Sequence, residues 1–78
     1  MIEIKLIDLL NKIAENKPLP RKIKFKATDY KMYYSFTYDK DLKGYYCNTT
    51  HSPLIRFIQN NFANINNKII IDEGEVYI

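Results

Sequence analysis

Only one cysteine, one histidine, two glycines and no tryptophan occur in the 78 residues of this chain. Each scarcity removes a class of answer. A solitary Cys47 cannot close an internal disulfide, so the stapled architecture of small secreted modules is excluded and a reducing cytoplasm is expected. One cysteine and one histidine fall short of the three or four ligands that zinc requires. Two glycines argue against a loop-rich scaffold or a disordered one. No apolar run approaches the roughly 20 residues needed to span a bilayer, so no membrane partner is expected. Glu3 and Asp8 interrupt the opening apolar stretch, where a secretory signal would place basic residues and then an unbroken apolar run.

What is present is bulk and positive charge. Twelve isoleucines, seven tyrosines and four phenylalanines supply one thin core, enough for a single domain over residues 1–78. A core this small leaves a modest stability margin, and homodimer formation would widen it. The net charge is +3, and it is localised. Residues 17–43 carry eight Lys or Arg against three Asp, whereas the segments on either side each sum to −1. A local basic patch invites an anionic partner, either nucleic acid or an acidic protein face. The plainer reading is a solvated strand face whose lysines discourage aggregation.

The patch has a pattern. In Arg21–Tyr38, strand alternation puts Lys22, Lys24 and Lys26 on one side and Ile23, Phe25 and Ala27 on the other. Further on, Tyr30, Met32, Tyr34, Phe36 and Tyr38 share the core side, and Lys31, Tyr33, Ser35 and Thr37 the opposite one. Paired as a hairpin over 21–27 and 30–38, these segments present a lysine-rich platform with an exposed tyrosine. Tyr46 joins Tyr33 as a ring on which a base or a partner side chain could stack beside a cation.

Around this hairpin the periodicity predicts a helix over Ile4–Glu15, stopped by Pro18 and Pro20, with Asn16 as its C-terminal cap. A polar turn, DKDLKG, leads into a short strand, Tyr45–Thr49. Ser52-Pro53 reads as the start of a second helix with Leu54, Ile55, Ile58 and Phe62 as its stripe, broken by Asn64, Asn66 and Asn67. Lys68–Asp72 has the unbroken apolar run of a buried strand, and Val76–Ile78 is expected to pair back on it as a hairpin. The expected fold is α+β, in the order α-β-β-β-α-β. It has a small antiparallel sheet of three to four strands with two helices packed on one face.

No catalytic signature stands out, and the chain is expected not to be an enzyme and to need no cofactor. Cys47 and His51 are four residues apart and could form a nucleophile pair or half a metal site, but a half-buried strand cysteine and a surface histidine just before a helix are the expected reading. Asp39 and Asp41 fit a turn, and Asp72, Glu73 and Glu75 fit a polar tail. Lys43-Gly44-Tyr45-Tyr46 is similar to the opening of an RNA-recognition-motif strand, but Tyr46 fills a small-residue position and the element order is wrong.

The opening IDLLNKIAENKPLPRKIKF resembles small phage and prophage accessory proteins of low-GC Gram-positive bacteria. Leu9-Leu10-Asn11-Lys12-Ile13-Ala14 matches their first helix, and Pro20-Arg21-Lys22-Ile23-Lys24-Phe25 their proline-led strand. Asn16-Lys17 stands where a glycine is common, and the match covers about the first third of the chain. No functional residue transfers through it. The resemblance implies a protein acting in the cytoplasm of a bacterial host by binding a host protein, with inhibition of a defence system such as CRISPR as one expected role. The expected working surface is Lys22, Lys24, Lys26, Lys31, Tyr33 and Tyr46. Direct nucleic-acid binding by the same surface is the alternative.

Overall fold

The computed structural model describes residues 1–78. Five strands, β1 (Ile2–Lys5), β2 (Lys22–Phe25), β3 (Tyr34–Asp39), β4 (Gly44–Cys47) and β5 (Lys68–Ile71), form one sheet in the order β1-β5-β2-β3-β4. Every neighbouring pair is antiparallel. Two α-helices, α1 (Leu6–Ala14) and α2 (Ile55–Asn60), and a 3-10 helix, Phe62–Asn66, complete the fold. The class is α+β, with an antiparallel sheet larger than the three to four strands expected. No helix is long and apolar enough to cross a membrane.

The additional strand is β1. The periodicity over 4–15 extends helical spacing back through Ile4, yet Ile2-Glu3-Ile4-Lys5 also alternates with period two. Pairing of Ile2 with Ile71 and of Ile4 with Ile69 decides between them, because it satisfies backbone groups while laying Ile4 against the core. The helix then starts at Leu6, two residues later than expected. The Lys5 N–H donates to Asp8 Oδ2 at 3.1 Å, satisfying a helix-start donor. It ends as the sequence requires. Asn16 takes the left-handed conformation at φ 57°, and the Lys17 and Asn16 N–H groups donate back to Lys12 and Ile13 carbonyls, the closing bonds of a Schellman motif.

One face of the sheet holds the core. Ile23, Phe25, Phe36, Tyr45, Cys47, Ile69 and Ile71 are all buried beneath Leu6 and Leu9 of α1 and Leu54 at the head of α2. Phe57, from α2, meets Phe36 and Tyr30 edge-on and Phe25 at a tilt, with ring centroids 5.4–6.0 Å apart, and aromatic quadrupoles favour the edge-on pairs. Burying each large side chain here contributes about 1.5–3 kcal/mol.

Three further expectations need correction. β3 begins at Tyr34, not Tyr30. Residues 26–33 are spent in a loop that Asn64 and Asn67 hold in place. Thr28 donates through its N–H and its hydroxyl to Asn64 Oδ1, both at 2.9 Å. Asn64 Nδ2 donates to the Phe57 carbonyl at 2.8 Å, and Asn67 Nδ2 to the Lys26 carbonyl at 3.2 Å. The asparagines that were expected only to break a helix are therefore a polar anchor. Asn64 is 3 % exposed, and all its bonds are made inside the protein.

Ser52-Pro53 does not open α2. β4 stops at Cys47, short of the expected Thr49, and residues 48–51 turn back beside it. The Cys47 N–H donates to the Ser52 carbonyl and the Leu54 N–H to the Tyr45 carbonyl, each at 2.9 Å, and Pro53 bridges to Tyr46. The segment covers the outer edge of β4. Ile55 and Phe62 consequently point outward, at 54 % and 70 % exposure, and Phe57 takes the inward place.

The tail Val76–Ile78 does not fold back on β5. It crosses to Leu19–Arg21, where Leu19 and Ile78 exchange N–H···O bonds at 2.8–2.9 Å and Pro20 faces Tyr77. Leu19 and Arg21 carry the bonds of this pairing, so the N–H that Pro20 lacks is not needed in it, and the Pro20 carbonyl accepts the buried Tyr45 hydroxyl at 2.6 Å.

Candidate partner-binding face

The face of the sheet away from the helices carries no covering element. Strand alternation assigns its side chains. Lys22 and Lys24 project from β2, Ser35 and Thr37 from β3, Tyr46 from β4, Ile70 and Lys68 from β5, and Glu3 and Lys5 from β1, and the opposite register holds the core residues Ile23, Phe25, Phe36, Tyr45, Cys47, Ile69 and Ile71. Cross-strand pairing orders them into rows. Lys24 stands between Ile70 and Ser35, and Glu3 lies beyond Ile70. Lys22 is opposite Thr37, which is opposite Tyr46. Lys5 is directly opposite Lys68.

Of the six residues expected to form the working surface, Lys22, Lys24 and Tyr46 lie in the strands of the open face. Lys22 and Lys24 share the open face, Lys26 continues the line just past β2, and Tyr33 stands just before β3. The Lys26 Nζ lies 5.8 Å from the centre of the Tyr33 ring, within cation–π reach. Tyr46 is on the same face at the far edge. Lys31 is not placed by the alternation at all. It is exposed in the 26–33 loop, outside the ladder, because the loop consumes the residues that were counted as strand.

Lys5 and Lys68 were missed. Each is set among apolar neighbours far from the lysine-rich segment, and only the β1–β5 pairing brings them together. The signal that could have found them is the alternation in Ile2–Lys5 and its complementarity to Lys68–Ile71. Like charges directly opposite each other across a ladder disfavour the fold. The Lys68 Nζ to Glu3 Oε2 contact, 3.3 Å, offsets part of that repulsion, but both partners are solvated and the pair is worth little.

The face is not uniformly basic. Its centre is a shallow depression of about 150 Å³ bordered by Lys22, Lys24, Ser35, Asn48, Asp72 and Glu75, with half-buried Ile70 in its lining. Glu75 is fixed there by accepting the Lys22 N–H at 2.8 Å, and Asn48 by the Thr37 hydroxyl, which donates to Asn48 Oδ1 at 2.7 Å. Lysines thus run along the face, Lys24 beside Ile70 in the middle and Lys22 at the end that also carries Asp72 and Glu75.

The remaining chemically notable groups do not converge. No group of three or more His, Cys, Asp and Glu side chains is placed to hold a metal ion. Cys47 is buried in the core, whereas His51 is exposed on the turn at φ 61°. Burial pushes the Cys47 thiol up, and hydrogen bonds from the Thr50 side chain and the Thr50 and Thr49 backbone outweigh it, leaving the thiol below its ordinary range. Asp39 accepts the N–H groups of Asp41 and Leu42 at 2.9 and 3.0 Å and so shapes the β3–β4 turn.

No protein-family model matches the chain, and neither a curated protein nor a solved structure gives a significant match.

Proposed function

We propose that this chain is a non-enzymatic accessory protein of phage or mobile-element origin. It binds a host protein through the open sheet face and inhibits or modulates it, and inhibition of a defence system, in the manner of an anti-CRISPR protein, is the specific form proposed. Its site of action is the bacterial cytoplasm. The observation that carries the reading is the composition of an uncovered face: Lys5, Lys68 and Lys26 towards one end, Lys24 and Ile70 side by side in the centre, and Asp72 and Glu75 with Lys22 towards the other. Protein interfaces combine an apolar centre with a polar rim of complementary charge, and such a face complements an acidic protein surface that carries a cation beside it. A phosphate backbone crossing the same face meets Asp72 and Glu75.

A second reading, single-stranded nucleic acid, is favoured by the Lys26–Tyr33 contact, which pairs a stacking ring with a cation. Salt separates the two. Counterion release gives a nucleic-acid complex a log–log salt slope of about 0.7 per phosphate on single strands, and a mixed protein interface falls less steeply.

The test has two arms. The immobilised domain and its Lys24→Glu/Lys26→Glu variant are exposed to host lysate, and fluorescent DNA and RNA oligonucleotides are titrated at low and physiological salt. A host protein held by the wild type and released by the variant supports the first reading. Identical retention by both proteins sinks it. Oligonucleotide binding that persists at physiological salt and is lost in the variant selects the second.

A further inference from the structure

A second surface lies at the other side of β4. The last turns of α1, the β3–β4 turn and the start of α2 enclose a groove of about 260 Å³. Leu10 and Ile13, one helical turn apart on α1, form one wall, and buried Tyr45 and Leu54 line the groove together with Pro53. Leu42 and Ile55 form the lips, at 61 % and 54 % exposure. Scattered surface hydrophobics are ordinary. Here two strongly exposed ones, from separate segments, border the same concavity, which is the arrangement of a recognition groove. The volume suits one or two large apolar side chains.

We infer that this groove docks an acidic amphipathic helix of a partner protein. Two features identify the occupant. The first is backbone chemistry. A strand recognised at a sheet edge needs free N–H and C=O groups, but the β4 edge beside the groove is already bonded to Ser52 and Leu54. A helix satisfies its own backbone and needs only side-chain contacts. The second is charge. Lys43 is the sole ionic side chain lining the groove, and Asp39 in the adjoining turn is directed onto backbone N–H groups. Apolar residues one helical turn apart, flanked by a carboxylate for Lys43, complement this lining. The inference rests on none of the lysines of the open face and stands or falls separately from it.

The probe is a synthetic helical peptide of Leu, Ala and Glu with leucines at i, i+3, i+4 and i+7, titrated into the isotope-labelled protein and followed by amide chemical shifts. A scrambled isomer and an analogue with Lys for Glu serve as controls. The expected result is shifts centred on Leu10, Ile13, Leu42 and Ile55. Leu42→Ser/Ile55→Ser should weaken binding roughly tenfold or more, with the melting temperature unchanged because both side chains are exposed. Lys43→Glu should weaken the acidic peptide and strengthen the basic one. Absence of binding, equal binding of the scrambled isomer, or shifts on the open face overturns the inference. So does a wild-type dimer that Leu42→Ser/Ile55→Ser dissociates, since a second copy would then fill the groove.

Discussion

Lys24 and Phe25 are consecutive residues of β2 and live under opposite rules. Phe25 is 1 % exposed and touches two other aromatic rings at centroid distances of 6.4 Å or less. Lys24 faces water between Ile70 and Ser35. The same contrast runs through β4 and β5, so across the middle of the sheet core and open surface alternate residue by residue. The core face is constrained by packing volume, and the open face only by the character of whatever meets it.

That division can be broken most severely from the core side. Phe25→Ala or Phe36→Ala should cost about 3–5 kcal/mol, a large part of the roughly 5–15 kcal/mol that holds a domain folded. The check is a urea denaturation midpoint. A loss below about 1 kcal/mol would mean that the two faces are not energetically distinct.

Asn64→Ala tests whether the polar anchor belongs with the core. It takes the acceptor from the Thr28 N–H and hydroxyl and one of two donors from the Phe57 carbonyl, which keeps the Asn61 N–H, at about 1–3 kcal/mol. Hydrogen exchange should accelerate in residues 26–28 before it does in β2.

Tyr45→Phe is milder. It removes the bond to the Pro20 carbonyl, about 1 kcal/mol at neutral pH. It also alters the alkaline limb. Burial first, then the neighbouring Tyr38, Tyr77 and Glu75, push the Tyr45 phenol above its ordinary value. A group raised in the folded state favours folding while protonated. Its contribution is complete below the unfolded value of about 10 and is lost as the pH climbs through the folded value. Wild-type stability should therefore fall more steeply above about pH 10 than that of Tyr45→Phe, measured by denaturation across pH.

At the small end, Lys24→Glu/Lys26→Glu should leave stability within about 0.5 kcal/mol while abolishing partner capture. A large loss of stability would show that the open face is part of the fold's support after all.

The sequence carried the division where it is local. Alternation in Lys22–Phe25 and the apolar run of β5 were both legible, because a two-residue period needs no knowledge of the partner strand. What pairs with what was less so. β1 was absorbed into α1 because Ile4, Ile7 and Leu10 keep helical spacing, and only residues more than sixty positions away decide otherwise. Lys5 and Lys68 were invisible as site residues for that reason. The destination of the tail was hidden too, since Val76–Ile78 alternates well enough to pair with any edge, and Pro20 reads locally as a terminator. Cys47 and His51 show the converse. Their spacing was legible, yet the end of β4 turns the thiol into the core and leaves the imidazole outside.

The place of β5 has a kinetic consequence. It is the last strand to be synthesised and the one that joins β1 to β2. Until residues 68–71 leave the ribosome, β1 has no partner and the β2–β3–β4 meander shows an unpaired edge. Non-local pairing of this kind slows folding and leaves nascent edges open to other chains. The finished sheet is closed from within, by a strand that can arrive only when the other four are already waiting.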